Sequence, residues 1–230
     1  MTPDPSIIDR TGAVIPAYNA ERHLDGVITG VEKYLPASHI IVVDDGSADA
    51  TAEVARARGV VVLVHDPNQG KGAALDTGIR HAGNIGCAYA ITLDADGQHN
   101  PDDIARFIDR WSETGADIIV GNRLEDTRDM PTDRKYTNYF TSWVVSQLAG
   151  TKIPDSQNGY RMISTSLFAS LGVKARRYEA ESELLIRAGR EGARIDSVPV
   201  ETIYADEVSS INKARDTYRF FRMVVKSFFW

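Results

Sequence analysis

The chain has 230 residues, with 26 Lys+Arg against 32 Asp+Glu and a net charge of −6. At about 150 residues per domain this length suggests one domain, able to bury on the order of 70–75% of its unfolded surface without staples. Its 43% apolar and 25% charged residues exclude wholesale disorder, and the acidic balance argues against a nucleic-acid binder.

The opening stretch MTPDPSIIDR holds two prolines, two aspartates and no apolar run, unlike a secretory signal. No window approaches the ~20 apolar residues that span a bilayer, so a soluble, cytoplasmic protein is expected. The single Cys87 cannot pair internally; it fits a reducing compartment and reads as a small core residue.

Short β-branched runs at Ala13–Ile15, Ile40–Val43, Val60–Val64, Ala90–Leu93 and Ile118–Val120 predict strands. Between them, residues 21–34, 49–58, 71–82 and 101–114 have helical length. This alternation implies an α/β fold with a mostly parallel sheet flanked by helices. The clearest helix starts with Asn100 as N-cap, Pro101 at N1, and Asp102 and Asp103 in its first turn. Ile104, Phe107, Ile108 and Trp111 follow i, i+3, i+4, i+7 and give it one buried face. Residues 122–135, rich in charge and containing Pro131, read as a long loop. A helix from about Asp133 to Leu148 is expected next, then a loop near Pro154 and a strand near Tyr160–Ile163. Short elements to residue 175, a helix over 180–190, a strand over Arg194–Ile203 and a final helix over 214–230 complete the chain.

Leu93-Asp94-Ala95-Asp96-Gly97-Gln98-His99 is the strongest local signal. An apolar strand ends in carboxylates at i and i+2, which the two-residue period of a strand aims to one side. Two close carboxylates repel unless a cation lies between them, and their oxygens suit Mg²⁺ or Mn²⁺, with Gln98 a further oxygen donor. A polar loop with Asp capping is the plain alternative. Asp44-Asp45-Gly46-Ser47 ends the second strand, where a carboxylate can accept from a ribose or a base imide, or Ser47 or Asp49 can cap the next helix. Asn68-Gln69-Gly70-Lys71-Gly72 follows the third. It is neither a P-loop nor the dinucleotide fingerprint, since His65 and Leu75 stand where glycines are needed. In an open parallel sheet, ligands bind outside the carboxyl ends of the strands, and these loops share that rim.

The segments VIPAYNAE, IIVVDDGSADAT, NQGKGAALDTGI, LDADGQHNPDDI, VGNR and DSQNGYRMIS occur in this order. Together they resemble family 2 glycosyltransferases of GT-A fold, in particular the dolichyl-phosphate mannose synthases and bacterial polyprenyl-phosphate glycosyltransferases. The resemblance covers about residues 10–215 and implies inverting transfer from a UDP- or GDP-sugar with Mg²⁺ or Mn²⁺ on the diphosphate. By motif, Pro16, Tyr18, Val43, Asp45 and Ala95 fall on nucleotide-binding positions. Asp94, Asp96 and Gln98 fall on the metal site, and Arg123 lies where the family places a cation near the phosphates. Lys71 joins the donor-binding set. Two departures stand out. Ala20 occupies the position where relatives often have Glu, with Glu21 one place later, and of the family's basic pair only Lys213 offers a replacement.

Asp155 falls at the family's acidic position on the acceptor side, as general base or as the residue orienting Arg161 or its loop; Glu181 and Glu183 lie nearby in the pattern. A polyprenyl phosphate is the expected acceptor. A saccharide hydroxyl acceptor and a non-catalytic nucleotide-sugar-binding module are the alternatives. Residues 1–213 form the expected catalytic domain. In the last helix, Arg215, Arg219, Arg222 and Lys226 make a basic stripe, and Phe221, Val224, Val225 and Phe228 an apolar one. That pattern fits either a peripheral segment at the inner face of the cell membrane or a helix docked on its own core.

Overall fold

The computed structural model describes residues 5–128, 130–201, 203 and 213–230, without the side chains of 5 and 213–216. Its sheet contains β1 (Thr11–Ala17), β2 (Ile40–Asp44), β3 (Val61–Val64), β4 (Tyr89–Thr92), β5 (Ile118–Asn122), β6 (Arg161–Ser164) and β7 (Ile195–Pro199). Their order is β3-β2-β1-β4-β6-β5-β7. All neighbours are parallel except β6, which is antiparallel to both β4 and β5. The expected mostly parallel sheet is therefore present with one reversed strand. Because Arg161 opens β6 opposite Thr92 at the end of β4, the reversal brings Gly159, Tyr160 and Arg161 onto the strand-end rim.

The helices are α1 (Pro5–Ile8), α2 (Leu24–Val31), α3 (Thr51–Ala57), α4 (Lys71–Asn84), α5 (Ile104–Thr114), α6 (Thr132–Ala149), α7 (Thr165–Leu171), α8 (Glu179–Arg190) and α9 (Lys213–Ser227). They cover both faces of the sheet. Alternation along the strands decides which residue faces which layer. Ala13, Ile15, Ile40 and Val42 join one core with Leu24 and Ile28 of α2 and Phe107 and Ile108 of α5. Val14, Ile41 and Val43 join the other with Leu75 and Ile79 of α4, Val145 of α6 and Leu185 of α8. Strands buried on both sides read as continuous apolar runs, which is why they were visible in the sequence.

Asn100 caps its helix as expected, accepting from the Asp102 N–H at 3.1 Å. The first turn, Pro101–Asp103, is 3-10 and continues into α5, whose Trp111 packs against Tyr89 at 4.8 Å between ring centroids. Cys87 is buried, in keeping with a core role. The strand expected over Arg194–Ile203 is shorter, Ile195–Pro199, because its partner β5 ends at Asn122 opposite Pro199, and Val200 N–H makes a last bond to Asn122 O at 3.2 Å.

The final helix differs from its expected single apolar face. Met223 and Ser227 are buried and Phe220 and Val224 pack on the second core, while Tyr218, Phe221, Val225 and Phe228 remain exposed. Arg190 ties this helix down by donating to Ser227 O and, through Nε, to Leu148 O of α6 at 3.0 Å. Part of α9 therefore belongs to the core and part faces outward. Among the described residues, no helix is long and apolar enough to cross a membrane.

Helix α4 approaches the sheet through Gly78, where an added Cβ would stand 2.4 Å from Val14 Cγ1 and 3.1 Å from Val43 Cγ2. Overpacking of this kind costs about 1–3 kcal/mol. Gly78→Ala is expected to lower stability by that amount in urea unfolding followed by circular dichroism.

Candidate active site

Four loops converge at the carboxyl ends of β1, β2, β3 and β4. Those after β1 and β2 are laced together. Asn19 N–H donates to Ser47 Oγ at 2.9 Å, Ala48 N–H to Asn19 Oδ1 at 2.9 Å, and Ala20 N–H to Thr51 Oγ1 at 2.8 Å. Asn19 adopts φ 50°, a conformation asparagine tolerates better than most residues. Glu21, one place off the family position, takes part in this lacing by accepting the Ala50 N–H at 3.0 Å. Tyr18 stands clear of it, 56% exposed. Pro16 is half-buried, and Val43 is fully buried with its side chain against α4.

Asp45 is buried and fastens the loop after β3. Its carboxylate accepts the Gln69 N–H at 2.9 Å and the Gly70 N–H at 2.7 Å, and lies 2.7 Å from His65 Nδ1. Gly70, at φ 101°, makes the turn that follows; a Cβ there would meet Arg176 O at 2.5 Å. The chain then enters α4 with Lys71 as first residue. Asp45 thus shapes the segment that delivers Lys71, a role that spacing alone did not reveal.

Lys71 Nζ lies 2.7 Å from Asp94 Oδ1 and 3.5 Å from Glu181 Oε1. Burial acts to lower the Lys71 pKa, but the two carboxylates outweigh it and hold the ammonium above its ordinary range. Burial likewise acts to raise Asp94, yet Lys71, with Arg123 beyond it, holds this carboxyl at about 2. His99 accepts the Asp94 N–H through Nδ1 at 3.0 Å and stacks on Tyr160 at 5.0 Å. Burial, assisted by Lys71 and Arg123, lowers His99 to about 4, so the ring is neutral and serves as a loop brace. Asp96 Oδ1 accepts the Gln98 N–H at 2.9 Å, closing the turn after Ala95, which is buried.

Arg123, at the end of β5, forms a forked pair with Asp155. Its Nε donates to Oδ2 at 2.8 Å and a terminal nitrogen to Oδ1 at 3.0 Å; its backbone N–H adds a third bond to Oδ2 at 3.2 Å. Asp155 has no exposed surface, and Oδ1 also accepts the Gln157 N–H at 3.2 Å. Arg161 lies buried behind this pair, donating to Ser156 O at 2.8 Å and Glu181 O at 3.1 Å.

The structure thus brings Lys71, Asp94, Ala95, Asp96, Gln98, Arg123 and Asp155 to one rim, with Tyr18, Glu21 and Asp45 on the adjoining loops. Lys213 opens α9, but its side chain lies outside the described residues, as do most residues between 202 and 212. The sequence did not assign Glu181 or Gly159 to the site. Glu181 comes from α8, about ninety residues beyond Asp94, and no local motif marks it. Gly159 lies where a Cβ would stand 2.9 Å from Lys71 Nζ and 3.0 Å from Glu181 Oε1. Its place just before a strand was the only available signal.

Two carboxylates and an amide oxygen suit a hard divalent ion, which takes its remaining ligands from waters and phosphates. Among the described residues, no group of three or more His, Cys, Asp or Glu side chains is arranged to hold a metal alone. Such a donor set leaves coordination positions that waters and phosphate oxygens can fill.

The family model for glycosyl transferase family 2 matches residues 13–172. The chain belongs to this family and is a glycosyltransferase. It is 34% identical over 215 residues to the UDP-N-acetylglucosamine–dolichyl-phosphate N-acetylglucosaminyltransferase of Methanococcus voltae, covering 84% of this chain and 85% of that protein. The polyprenol monophosphomannose synthase of Mycolicibacterium smegmatis is 28% identical over 212 residues, covering 86% and 80%. The glucosyl-3-phosphoglycerate synthase of Mycobacterium tuberculosis, solved with Mn²⁺ and UDP-glucose, superposes with a TM-score of 0.71 at 20% identity. That alignment covers 94% of this chain and 78% of the synthase, and establishes the GT-A fold.

A buried His with a lowered pKa destabilises the fold in acid, because the unfolded chain takes up a proton near pH 6.5 that the folded state refuses until about pH 4. In EDTA, stability is expected to fall as pH drops through this window. His99→Asn, which keeps an acceptor for Asp94 N–H without the titration, should flatten that fall in urea midpoints measured from pH 7 to 4.

Proposed function

We propose that this glycosyltransferase moves a sugar from a UDP- or GDP-sugar to a polyprenyl phosphate, with inversion and with Mg²⁺ or Mn²⁺ on the donor diphosphate. The observation that carries the reading is the rim itself: Asp94, Asp96 and Gln98 as oxygen donors beside the cations Lys71 and Arg123. Leaving-group departure builds negative charge on the diphosphate, and preorganised positive groups stabilise it without reorganisation. A divalent ion, when bound, would supply the same kind of charge stabilisation to the diphosphate. Asp94, Asp96 and Gln98 would hold that ion; Tyr18, Asp45 and the loops they shape would seat the nucleoside, with Pro16, Val43 and Ala95 lining it through backbone and short side chains.

Asp155 acts here as a positioning residue. Both its oxygens engage Arg123, which keeps the guanidinium fork aimed and charged. An ionised phosphate acceptor needs no proton removed, so a buried, fully engaged carboxylate is compatible with a lipid phosphate in a way it is not with a sugar hydroxyl. The named relatives include enzymes of dolichyl and polyprenyl phosphates, which supports the same acceptor class.

An apolar acceptor also needs an apolar approach. Tyr136, Tyr139, Phe140 and Trp143 follow i, i+3, i+4, i+7 along α6, and all are exposed. A groove of about 660 Å³ runs beside them, lined by Tyr139, Trp143, Asn122 and Leu124, the last two flanking Arg123. The outward stripe of α9, with Phe221, Val225 and Phe228, sits among the exposed cations Arg222 and Lys226. These surfaces support peripheral contact with the cytoplasmic membrane face.

Activity is expected to vanish in excess EDTA and return with Mg²⁺ or Mn²⁺, and Asp96→Ala should remove most of it while leaving the thermal transition in place. Product analysis with lipid phosphate and saccharide acceptors tests the acceptor; sugar transfer to the saccharide alone would overturn that part. Liposomes containing anionic lipid should float the protein, less so at high salt as surface charge is screened. Replacing Phe221, Val225 and Phe228 together by Ser should abolish flotation without destabilising the fold, since these side chains are exposed.

A further inference from the structure

We infer that Lys71 is the resident counter-cation of Asp94, and that binding of a divalent ion at Asp94 transfers the Lys71 ammonium to Glu181. The inference rests on the reading of Asp94 as a metal ligand. The ammonium lies in a fitted slot, with Asp94 at 2.7 Å, Glu181 at 3.5 Å and the Tyr178 ring centroid at 5.9 Å. Gly159 forms the floor, where a Cβ would stand 2.9 Å from the nitrogen. The side chain is only 17% exposed and that of Glu181 10%.

Glu181 beside the half-buried Asp94, whose side chain is 29% exposed, would without a cation put two like charges close together in a largely enclosed slot, which is destabilising. The ammonium removes that penalty in the metal-free protein. It also makes Asp94 a contested ligand, because a divalent ion on either carboxylate oxygen would stand within a few ångströms of the ammonium on Oδ1 and repel it. Geometry supplies the outlet. Glu181 is a second carboxylate within a short swing of the same flexible four-carbon stem, and it is anchored on the rigid α8. Glu181 then retains the ammonium at the site, beside the place where a diphosphate would arrive, rather than releasing it to water. A purely structural salt bridge would need only one acceptor.

The exchange predicts opposite effects from two substitutions that each damage the same cluster. Mn²⁺ binding is read by the loss of its free electron-paramagnetic-resonance signal, with UDP present and no acceptor. Lys71→Met removes the competitor, and Mn²⁺ affinity should rise about tenfold, the equivalent of about 1.4 kcal/mol. Glu181→Gln removes the outlet and leaves Lys71 on Asp94, so Mn²⁺ should bind more weakly than to the unaltered protein. Lys71→Arg keeps a cation and should not gain affinity. Unchanged or weaker binding by a folded Lys71→Met protein overturns the exchange, and so does unaltered binding by Glu181→Gln. Circular dichroism establishes folding, and if Lys71→Met fails to fold, Glu181→Gln and Lys71→Arg decide the matter. Absence of Mn²⁺ binding by the unaltered protein would instead overturn the metal-site reading itself, and with it the exchange. Loss of binding in Asp96→Ala alone, with all Lys71 and Glu181 variants behaving alike, would keep the site and remove only the exchange.

Discussion

The ion pair between Lys71 and Asp94 joins the first residue of α4 to the loop after β4, and the rim's geometry depends on it. Lys71 reaches its place because Asp45 holds the Gln69 and Gly70 N–H groups, and Gly70 supplies a turn that a Cβ would block. Asp94 reaches its own because His99 accepts its N–H from within the same loop. Each partner is thus fixed by a buried polar residue. The charges must be balanced inside the protein, since the desolvation cost at this depth exceeds anything a surface salt bridge returns. That requirement explains why Glu181 is drawn in from a distant segment.

Strand β6 makes this gathering possible. A parallel strand at its position would begin at the far end of the sheet and deliver its amino-terminal loop away from the site. Running antiparallel, it starts opposite Thr92, whose hydroxyl donates to Gly159 O at 2.7 Å. The same reversal places Asp155 under Arg123 at the end of β5. One change of strand direction therefore gives the strand-end rim a second, cationic wall.

Strands β1, β2, β4 and β5 were legible in the sequence because strands buried on both faces must be continuously apolar, while the half-exposed edge strand β3 showed itself by its β-branched run. Asp94, Asp96 and Arg123 were legible because their chemistry sits in local motifs. The reversal of β6 was not, since a strand of four residues carries no mark of direction. Nor was the part played by Glu181, whose contact with Lys71 crosses more than a hundred residues. Asp45 was assigned by motif to a nucleoside, and its buried bonds to residues 69 and 70 depend on a tertiary approach that no spacing encodes. The single apolar face expected on the last helix was wrong in a simple way. The helix carries more apolar residues than one stripe, so Met223 and Phe220 dock inward while Phe221 and Val225 do not.

That division of α9 bears on how the acceptor side is built. Helices α6 and α9 both pack on α8, and α8 is buried along most of its length. Arg190 joins the carboxyl ends of the outer two, and Arg187 lies 4.3 Å from the Trp230 ring centroid. The outer helices are therefore held by their inner faces, and their exposed aromatic stripes are not the loose side of a poorly packed element. Exposed aromatics on a firmly anchored helix carry a cost in solubility that the fold gains nothing from. Their cost is offset only when something apolar covers them. The groove beside Tyr139 and Trp143 leads from this surface to Asn122 and Leu124. Whatever covers the aromatic stripe also meets the mouth of this groove, so the two form one continuous surface.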